Sequence, residues 1–306
     1  MRLLTRYDFD GLGCAVLLKE LGLVEEIKFV HPKDIQDGIV EVNENDVLTN
    51  IPYLAGCGLW FDHHSSEHER TAFGYFNGAS DPSAPSATRV VYDYYGGKRT
   101  FPGPFFRDLV AAVSKADTAQ LTVEEILNPR GWVLLAFIID PRTGLGRYDD
   151  YRISNYQMMM DMIDYCRTKS IDEILAIPDV EERVARYLEQ DRLFRTMLLE
   201  HSSAGGNAVV TDLRSCKEIY TGNRFIIYSL FPKQNISVQV MWGVQRRNVV
   251  ISCGHSIITK TSPVNVGSLM LKYGGGGHEK AGTCQVPTEK ADAILQEILG
   301  VINRDS

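Results

Sequence analysis

The sequence predicts an α/β protein in which a parallel sheet flanked by helices is followed by a smaller α+β domain. Three observations predict this fold class. Short hydrophobic runs alternate with a helix and long connections over the first 62 residues, helical segments fill the middle, and strand-like runs return beyond residue 207. Strands that are joined by helices or long crossovers pair in parallel, so we expect a parallel sheet in the first domain.

Four strands and one helix are predicted at the start of the chain. The strands are the hydrophobic runs 2–5, 27–30, 47–49 and 58–61, and the helix covers residues 11–21. Five further helices follow, at 86–95, 105–115, 132–139, 155–166 and 180–200. Serines in capping positions precede the first of these, and the last is long and charged, as expected of a helical connector between domains.

A second domain is predicted after residue 206. The segment 201–207, rich in serine and glycine, is typical of a linker, so the boundary is placed near 200–206, giving domains 1–200 and 207–306. Strands are predicted at 208–213, 225–229, 237–242 and 249–252, followed by a glycine-rich turn at 274–277 and a helix at 291–302.

Composition indicates a soluble, cytoplasmic protein with no membrane partner. The longest uninterrupted apolar run is 132–139, well short of the ~18 residues that a membrane helix needs, and Asp8 comes too early for a signal-peptide core. The six cysteines are scattered, with no Cys-x-x-Cys pair, so reduced thiols are expected rather than a zinc ribbon or a disulfide framework.

Charge is unevenly distributed along the chain. The net charge is −7, yet residues 201–306 contain 11 Lys and Arg against 7 Asp and Glu. An acidic first part and a basic second part suit a cation site followed by a phosphate-recognising surface, although ordinary solvated surface charge explains the asymmetry equally well. The pI of about 5.6 argues against the wide basic surface that long duplex nucleic acid requires.

Polar side chains follow three of the predicted strands. Asp8 and Asp10 come after the first strand, Asn50 after the third, and Asp62, His63 and His64 after the fourth. The carboxyl ends of parallel strands meet at one edge, where α/β proteins bind ligands. Carboxylates with imidazole and no thiolate suit Mn²⁺ or Mg²⁺. Alone, an Asp-x-Asp more often caps a helix and adjacent histidines are usually incidental, but the combination is much more specific.

These segments resemble motifs of the DHH phosphoesterase superfamily. Segments 7–11 and 61–64 resemble its motifs I and III, segment 85–92 the helix start between motifs, and Asp117 its fourth motif. Segment 273–283 is similar to the GGGH signature of the DHH-associated C-terminal domain. The motifs occur in the right order over residues 5–284. The resemblance, to the group with nanoRNases, pAp phosphatases and exopolyphosphatase-related proteins, implies an active site in the cleft between the two domains.

The resemblance also implies roles for individual residues. It places the metal ligands at Asp8, Asp10, His63 and Asp117, with Asn50 at the position of a further ligand. Asp62 and His64 would support and orient the site, with His64 facing the scissile phosphate. Metal ions there would bind phosphate oxygens and lower the pKa of bound water.

The glycine-rich segment has a physical interpretation of its own. Four glycines without Cβ atoms can adopt positive φ and turn their amides towards an anion, whereas the alternative is a flexible turn. The family uses this segment to hold the nucleotide or phosphate end of the substrate. The residues to which this role is assigned are Gly274, Gly275, Gly276, Gly277, His278 and Lys280.

Two positions depart from the family pattern. Arg6 and Leu4 occupy positions where many relatives have an additional metal ligand, and Asn50 replaces an aspartate that often bridges two metals. Arg6 either takes the place of a metal charge and binds phosphate with its guanidinium, or pairs with Asp8 or Asp46 in a site that has lost activity. We therefore expect one firm Mn²⁺ or Mg²⁺ site and a second that is weak or absent.

Two functions remain compatible with the sequence. The first is a divalent-metal-dependent phosphohydrolase acting on short single-stranded oligoribonucleotides or small phosphorylated nucleotides, in which Asp62, His64 and Arg6 serve catalysis. The second is a weakened or inactive homologue that binds nucleotide or phosphate ligands in a regulatory role. Neither requires long duplex nucleic acid, and a homodimer is left open.

Overall fold

The computed structural model describes residues 1–64, 67 and 75–304. The chain forms two compact units. The first consists of Met1–Gln120 and Pro129–Arg186, and the second of Leu121–Asn128 and Tyr187–Ser306. The sequence places the boundary at 200–206, whereas this division falls inside the long helix and gives a short earlier segment to the second unit.

The helices and strands of the described residues follow in chain order. The strands are β1 (Arg2–Arg6), β2 (Glu26–Val30), β3 (Asp46–Thr49), β4 (Leu59–Asp62), β5 (Gly78–Ser80), β6 (Ser202–Gly205), β7 (Ala208–Asp212), β8 (Ile236–Trp242), β9 (Val249–His255), β10 (Gly276–His278) and β11 (Ala281–Val286). The helices are α1 (Phe9–Glu20), α2 (Pro32–Gln36), α3 (Ala87–Tyr94), α4 (Pro104–Asp117), α5 (Val123–Leu127), α6 (Gly131–Ile139), α7 (Asn155–Thr168), α8 (Ile171–Leu175), α9 (Pro178–His201), α10 (Ile226–Leu230), α11 (Val266–Leu271) and α12 (Ala291–Arg304).

The first unit is built on a five-stranded sheet in the order β2-β1-β3-β4-β5. Every pairing in this sheet is parallel, which confirms the predicted fold class. Leu4, Leu48 and Trp60 are fully buried and pack in one cluster with residues of β2 and α2. Because all strands run in the same direction, the segments that follow β1, β3 and β4 emerge at the same edge.

Helix α1 is held close to the sheet and to α3. A Cβ atom on Gly11 would lie 1.9 Å from the carbonyl oxygen of Arg6, and one on Gly13 would lie 2.3 Å from Thr88 Oγ1. Both glycines are therefore required by the close approach of backbone and neighbouring side chains. Asp8 caps the helix, since its carboxylate accepts a hydrogen bond from the Gly11 amide at 2.9 Å.

The second unit contains a mixed six-stranded sheet in the order β10-β11-β9-β8-β7-β6. Residues 236, 238 and 240 of β8 are buried and alternate with partly exposed ones, so one face of the sheet is covered. Residues of α11 and α12 complete this core, including Val266, Leu295 and Ile298. The second unit is thus an α+β domain, as predicted.

Two local predictions for the second unit are wrong. The segment 201–207, predicted as a linker, contains β6, which pairs antiparallel with β7. The segment 225–229, predicted as a strand, forms α10, in which Ile226, Ile227 and Tyr228 are all buried. The run 225–228 is apolar at every position and has neither a helical nor a strand period, so the sequence pattern alone does not distinguish the two.

No helix among the described residues is both long enough and apolar enough to cross a membrane.

Candidate metal centre

The carboxyl edge of the parallel sheet collects the polar residues that the sequence singled out. Asp8 and Asp10 follow β1, Asn50 follows β3, and Asp62 is the last residue of β4. Asp10, Asn50 and Asp62 are each at most 2% exposed. The cost of burying these polar groups implies that each must find partners, and the geometry of those partners distinguishes their roles.

Asp10 is fixed by the start of α3. Its two carboxylate oxygens accept hydrogen bonds from the backbone amides of Ala87 and Thr88, at 2.9 and 2.8 Å. The Thr88 hydroxyl in turn donates to the carbonyl oxygen of Asp10 at 2.8 Å. The helix dipole favours a negative charge at this position. Each carboxylate oxygen accepts one backbone bond and keeps a lone pair for a further partner.

His63 places an unpaired nitrogen beside two carboxylates. Its Nδ1 lies 3.3 Å from the carbonyl oxygen of Ala84, a partner that requires Nδ1 to carry the proton. The other ring nitrogen, Nε2, lies 3.7 Å from Asp10 Oδ2 and 3.3 Å from Asp117 Oδ2. It is buried and has no hydrogen bond among the described residues.

This arrangement fits a divalent cation. Asp10, His63 and Asp117 each offer one ligand atom, and the three atoms lie within 4.8 Å of one another. A buried ring nitrogen that faces two carboxyl groups without a hydrogen bond is an arrangement that a bound cation can complete. Two carboxylates and an imidazole suit Mn²⁺ or Mg²⁺ rather than a thiolate-bound structural zinc.

The electrostatics of Asp117, the last residue of α4, point the same way. Burial raises the pKa of Asp117 to about 8, helped by the negative charges of Asp10 and Asp8 and opposed by His64 and Arg6. A buried carboxyl group has such a raised pKa when no positive charge lies close enough to keep it ionised at neutral pH. A bound cation would supply that charge.

Asp8 has different surroundings from Asp10, although only one residue separates them. Its Oδ1 accepts hydrogen bonds from the Gly11 amide and the Asn50 side-chain amide, both at 2.9 Å, and its Oδ2 lies 3.0 Å from Arg6 Nε. Burial raises the pKa of Asp8, and the charge of Arg6 opposes this. Of the two partners that the sequence offered Arg6, the structure selects Asp8, because Asp46 binds Arg2 at 2.7 Å.

Asn50 turns its amide nitrogen, and not its oxygen, towards Asp8. The residue has a φ of +54°, a left-handed conformation that asparagine tolerates better than most residues. Its own backbone amide donates to the carbonyl oxygen of Phe61 at 3.1 Å, which fixes the turn after β3. In this arrangement, Asn50 shares the Asp8 carboxylate with Arg6 and belongs to the same side of the site.

Asp62 and His64 form a hydrogen-bonded pair. His64 Nδ1 donates to Asp62 Oδ1 at 2.8 Å. Burial of the ring lowers the pKa of His64, but the hydrogen bond to Asp62 and the charges of Asp62, Asp117 and Asp10 outweigh it, so the pKa is raised. Asp62 Oδ2 is buried and accepts no hydrogen bond among the described residues. The pair can therefore hold a proton next to the carboxylates.

The glycine-rich segment belongs to the second unit and is described there by itself. The amides of Gly274 and Gly275 donate to the carbonyl oxygens of Leu271 and Met270, both at 3.1 Å, and so end α11. Gly276, Gly277 and His278 form β10, which pairs with β11. The amides of Gly274 and Gly275 are thus used within the fold, while His278 and Lys280 have exposed side chains.

One residue near the cluster carried no recognised sequence signal. Arg142 follows α6 in a short turn, and its positive charge acts on Asp8 and Asp117. The only local clue is Asp140, two residues earlier, which caps the turn and binds the arginine. An isolated arginine after a predicted helix is too common to be selected on that basis.

Comparison with known proteins gives relatives among solved structures. A pGpG-specific phosphodiesterase, PggH from Vibrio cholerae, is 49% identical, with a TM-score of 0.85 over 100% of this chain and 99% of that chain. A DHH domain from the s1p family of ribosomal proteins has 14% identity and a TM-score of 0.64, over 100% and 87% of the two chains. No family model and no curated protein matches the chain.

RecJ from Thermus thermophilus in complex with Mn²⁺ has a TM-score of 0.54 and 14% identity, over 99% of this chain and 52% of that chain. At such low identity, RecJ and the s1p-family domain show a shared fold alone. The sequence similarity to PggH is much higher, since 49% of the residues are identical over nearly the full length of both chains.

The parallel sheet with its polar edge and the mixed second sheet define a protein of α/β architecture. The chain belongs to the DHH superfamily. The resemblance inferred from the motifs is therefore confirmed. The roles assigned to individual residues remain predictions.

Proposed function

We propose that this protein is a divalent-metal-dependent phosphodiesterase that hydrolyses short linear dinucleotides, with pGpG as its preferred substrate. The observation that carries the metal dependence is the buried Nε2 of His63, which faces Asp10 and Asp117 without a hydrogen bond among the described residues. The substrate class is supported by the 49% identity to a pGpG-specific phosphodiesterase over the whole chain.

The metal ligands in this proposal are Asp10, His63 and Asp117. An ion held by them would supply a polarised phosphate oxygen and a water of lowered pKa. The protein itself fixes the ligands, since backbone amides hold Asp10 and the Ala84 carbonyl orients His63. Orienting partners of this kind strengthen metal binding in other sites.

His64 is assigned the role of general acid. Asp62 holds the ring through Nδ1 and favours the protonated imidazole, so that Nε2 can donate a proton to the oxygen that leaves phosphorus. Arg6 is assigned to a non-bridging phosphate oxygen. It is 40% exposed, and its ion pair with Asp8 is made through Nε, so the proposal assigns the phosphate contact to the Nη groups.

One metal of high affinity is expected, with a second bound weakly. Asp8 already accepts hydrogen bonds from Gly11 and Asn50 and pairs with Arg6. A second ion that used Asp8 would have to displace these partners, and Asn50 offers it no negative charge. The arginine then provides positive charge on this side of the site.

A substrate panel with Mn²⁺ tests the proposal. Purified protein is incubated with pGpG, pApA, a short oligoribonucleotide, pAp, a cyclic dinucleotide and polyphosphate, and the products are separated by chromatography. We expect pGpG to give two molecules of GMP in a reaction that EDTA abolishes. Release of no GMP from pGpG at any Mn²⁺ concentration would reject the proposal.

A second candidate function is nucleotide binding without hydrolysis. The partners of Asp8 favour this second function. Gly11, Asn50 and Arg6 already engage its carboxylate, so only one complete set of metal ligands remains among the described residues. The same panel distinguishes the two functions when nucleotide binding is measured by calorimetry alongside. Binding of pGpG without turnover would support the second function.

A further inference from the structure

The turn that carries Arg142 is anchored in the first unit. Arg142 lies in the short 3-10 turn Pro141–Thr143, directly after α6. Thr143 and Leu145, on either side of Gly144, are 4% and 2% exposed. Gly144 has a φ of +90°, which closes the turn. Helix α6 packs against α4, whose last residue is Asp117. The backbone of Arg142 is therefore fixed relative to the metal centre.

Asp140 holds the Arg142 side chain in one orientation. Arg142 Nε donates to Asp140 Oδ1 at 2.8 Å, and Nη2 donates to Oδ2 at 2.9 Å. The backbone amide of Arg142 also donates to Asp140 Oδ1, at 2.9 Å. A bidentate pair of this kind fixes the plane of the guanidinium. Nη1 makes no hydrogen bond or ion pair within the described ranges, and the side chain is 53% exposed.

The charge of Arg142 acts on the carboxylates of the metal centre. Burial lowers the pKa of Arg142, but Asp140 raises it more, and Asp8 and Asp117 add to this. Arg142 is thus within electrostatic range of both carboxyl groups. Together with Arg6, it places two guanidinium groups, from separate segments of the first unit, near the same carboxylates.

A negatively charged substrate needs such groups. Asp8, Asp10, Asp62 and Asp117 bring four carboxyl groups close together, and a phosphodiester would add a further negative charge beside them. The energy of bringing a phosphate to this site depends on further positive charge close to it. Arg6 is paired with Asp8 through Nε, and Arg142 has a pair of N–H groups on Nη1 that no described residue uses.

We propose that Arg142 is a phosphate-binding residue of this site, held in position by Asp140. Its Nη1 donates to a non-bridging oxygen of the substrate phosphate that lies against the metal centre, next to the contact made by Arg6. Asp140 acts as a positioning residue, since it touches the arginine and not the substrate. This inference rests on the proposed phosphodiesterase function and names a further residue for it.

The variants Arg142→Ala and Arg142→Lys test the inference. Arg107→Ala is the matched control, because Arg107 is 69% exposed and is paired with the neighbouring Asp108 at 3.2 Å. Four quantities are measured for each protein: the KM and kcat for pGpG, the Kd for GMP in the presence of Mn²⁺, the Kd for Mn²⁺ without nucleotide, and the midpoint of thermal unfolding.

We expect Arg142→Ala to raise the KM for pGpG and the Kd for GMP about tenfold or more, as for loss of a charge-assisted hydrogen bond. Arg142→Lys should give a smaller rise, because lysine keeps the charge and lacks the fork. Mn²⁺ affinity should stay unchanged or increase, since a positive charge is removed from beside the ligands. Arg107→Ala should behave as wild type in every measurement.

Weaker GMP binding without weaker Mn²⁺ binding in Arg142→Ala would distinguish a phosphate-binding role from a merely structural one. Damage to the fold would weaken Mn²⁺ and GMP together and lower the unfolding midpoint, and that result would overturn the inference. So would equal GMP affinity in wild type and Arg142→Ala, or a wild type that binds no GMP. If wild type binds GMP yet leaves pGpG intact, the phosphodiesterase proposal fails while the GMP comparison still decides the role of Arg142.

Discussion

Asp8 and Asp10 show how two aspartates in one short motif come to differ. Asp8 caps α1 and is shared between Asn50 and Arg6, while Asp10 reaches across to the start of α3. Of the two, Asp10 joins His63 and Asp117 in a group that can hold a cation. The difference follows from the helix, because residues two positions apart point to different sides of its first turn.

Replacing Asp117 should abolish tight metal binding. In Asp117→Ala, one of two carboxylate ligands is lost and His63 Nε2 faces Asp10 alone, so we expect the Kd for Mn²⁺ to rise by at least ~100-fold. Isothermal calorimetry measures this directly. Asp108→Ala, on the exposed side of the same helix, is the control and should bind as wild type. Equal affinities in all three proteins would remove Asp117 from the site.

Restoring a carboxylate at position 50 should favour a second metal. In Asn50→Asp, two carboxylates meet where an amide now donates to Asp8 at 2.9 Å. Their repulsion should lower the midpoint of thermal unfolding without metal, and a cation should relieve it. We expect higher Mn²⁺ stoichiometry by calorimetry and faster pGpG hydrolysis.

The double variant Arg6→His with Asn50→Asp sharpens this test, because it also removes the guanidinium that binds Asp8. Its metal stoichiometry should exceed that of Asn50→Asp. Tight binding of two metals by the wild type would contradict the prediction, since Asn50 would then be no obstacle.

Most of the residues at this edge could be selected from the sequence. The partner of Arg6 and the position of Arg142 could not, for physical reasons. Asp8, Asp10 and His63 could be placed together because the segments that follow parallel strands meet at one edge. Asp117 ends a helix, and only the family resemblance indicated it. The sequence did not decide the partner of Arg6, because that partner depends on side-chain geometry and on the ion pair between Asp46 and Arg2. Arg142 was not predicted, since its role depends on a turn packed far along the chain.

Among the elements, β10 and β11 limit what the glycine-rich segment can do. A Cβ atom on Gly275 would lie 2.2 Å from the carbonyl oxygen of Thr283, and one on Gly277 would lie 2.2 Å from that of Ala281. Gly277 also has a φ of +152°. These glycines are explained by strand packing, so substitutions there would report on folding rather than on ligand binding.

His278 offers a cleaner test of the same segment. Its side chain is exposed at the edge of the sheet, so His278→Ala should leave the fold intact. We expect a several-fold higher KM for pGpG with nearly unchanged Mn²⁺ affinity, because a phosphate hydrogen bond is lost. Thr283→Ala, on the neighbouring strand, is a control that should not change KM. A collapse of Mn²⁺ affinity in His278→Ala would show that the residue belongs to the metal site.

Element prediction succeeded where a period was clear. The helix at 180–200 and the strands at 237–242 and 249–252 carry helical or alternating patterns, and the structure contains all three. The strand β6 was missed because Ser202–Gly205 has no apolar alternation and is defined by its pairing with β7. Such pairing is a tertiary effect that local propensity does not encode.

At the scale of the whole molecule, the metal centre links distant parts of the first unit. Asp10, His63 and Asp117 follow one another along the chain at intervals of about 50 residues, and they come together only when the sheet has formed. An ion that binds the folded state alone stabilises it according to its concentration.

We therefore expect Mn²⁺ at 100 times its Kd to stabilise the first unit by about 2.7 kcal/mol. The thermal midpoint should rise by about 5–10 °C, and EDTA should reverse this. Differential scanning calorimetry is the measurement. Asp117→Ala should show no such rise, and an equal rise in that variant would mean that the ion stabilises the protein from elsewhere.

The division of the chain into two units has a consequence for their independence. The chain leaves the first unit at residue 120, returns at 129 and leaves again after 186. The segment Leu121–Asn128 is tied into the second unit, where Asn223 donates to the Ile126 carbonyl at 2.9 Å and Arg195 to that of Leu127 at 2.8 Å. No single cut therefore yields two whole pieces. A recombination event that transfers the second unit whole would have to carry the segment Leu121–Asn128 along with the C-terminal part of the chain.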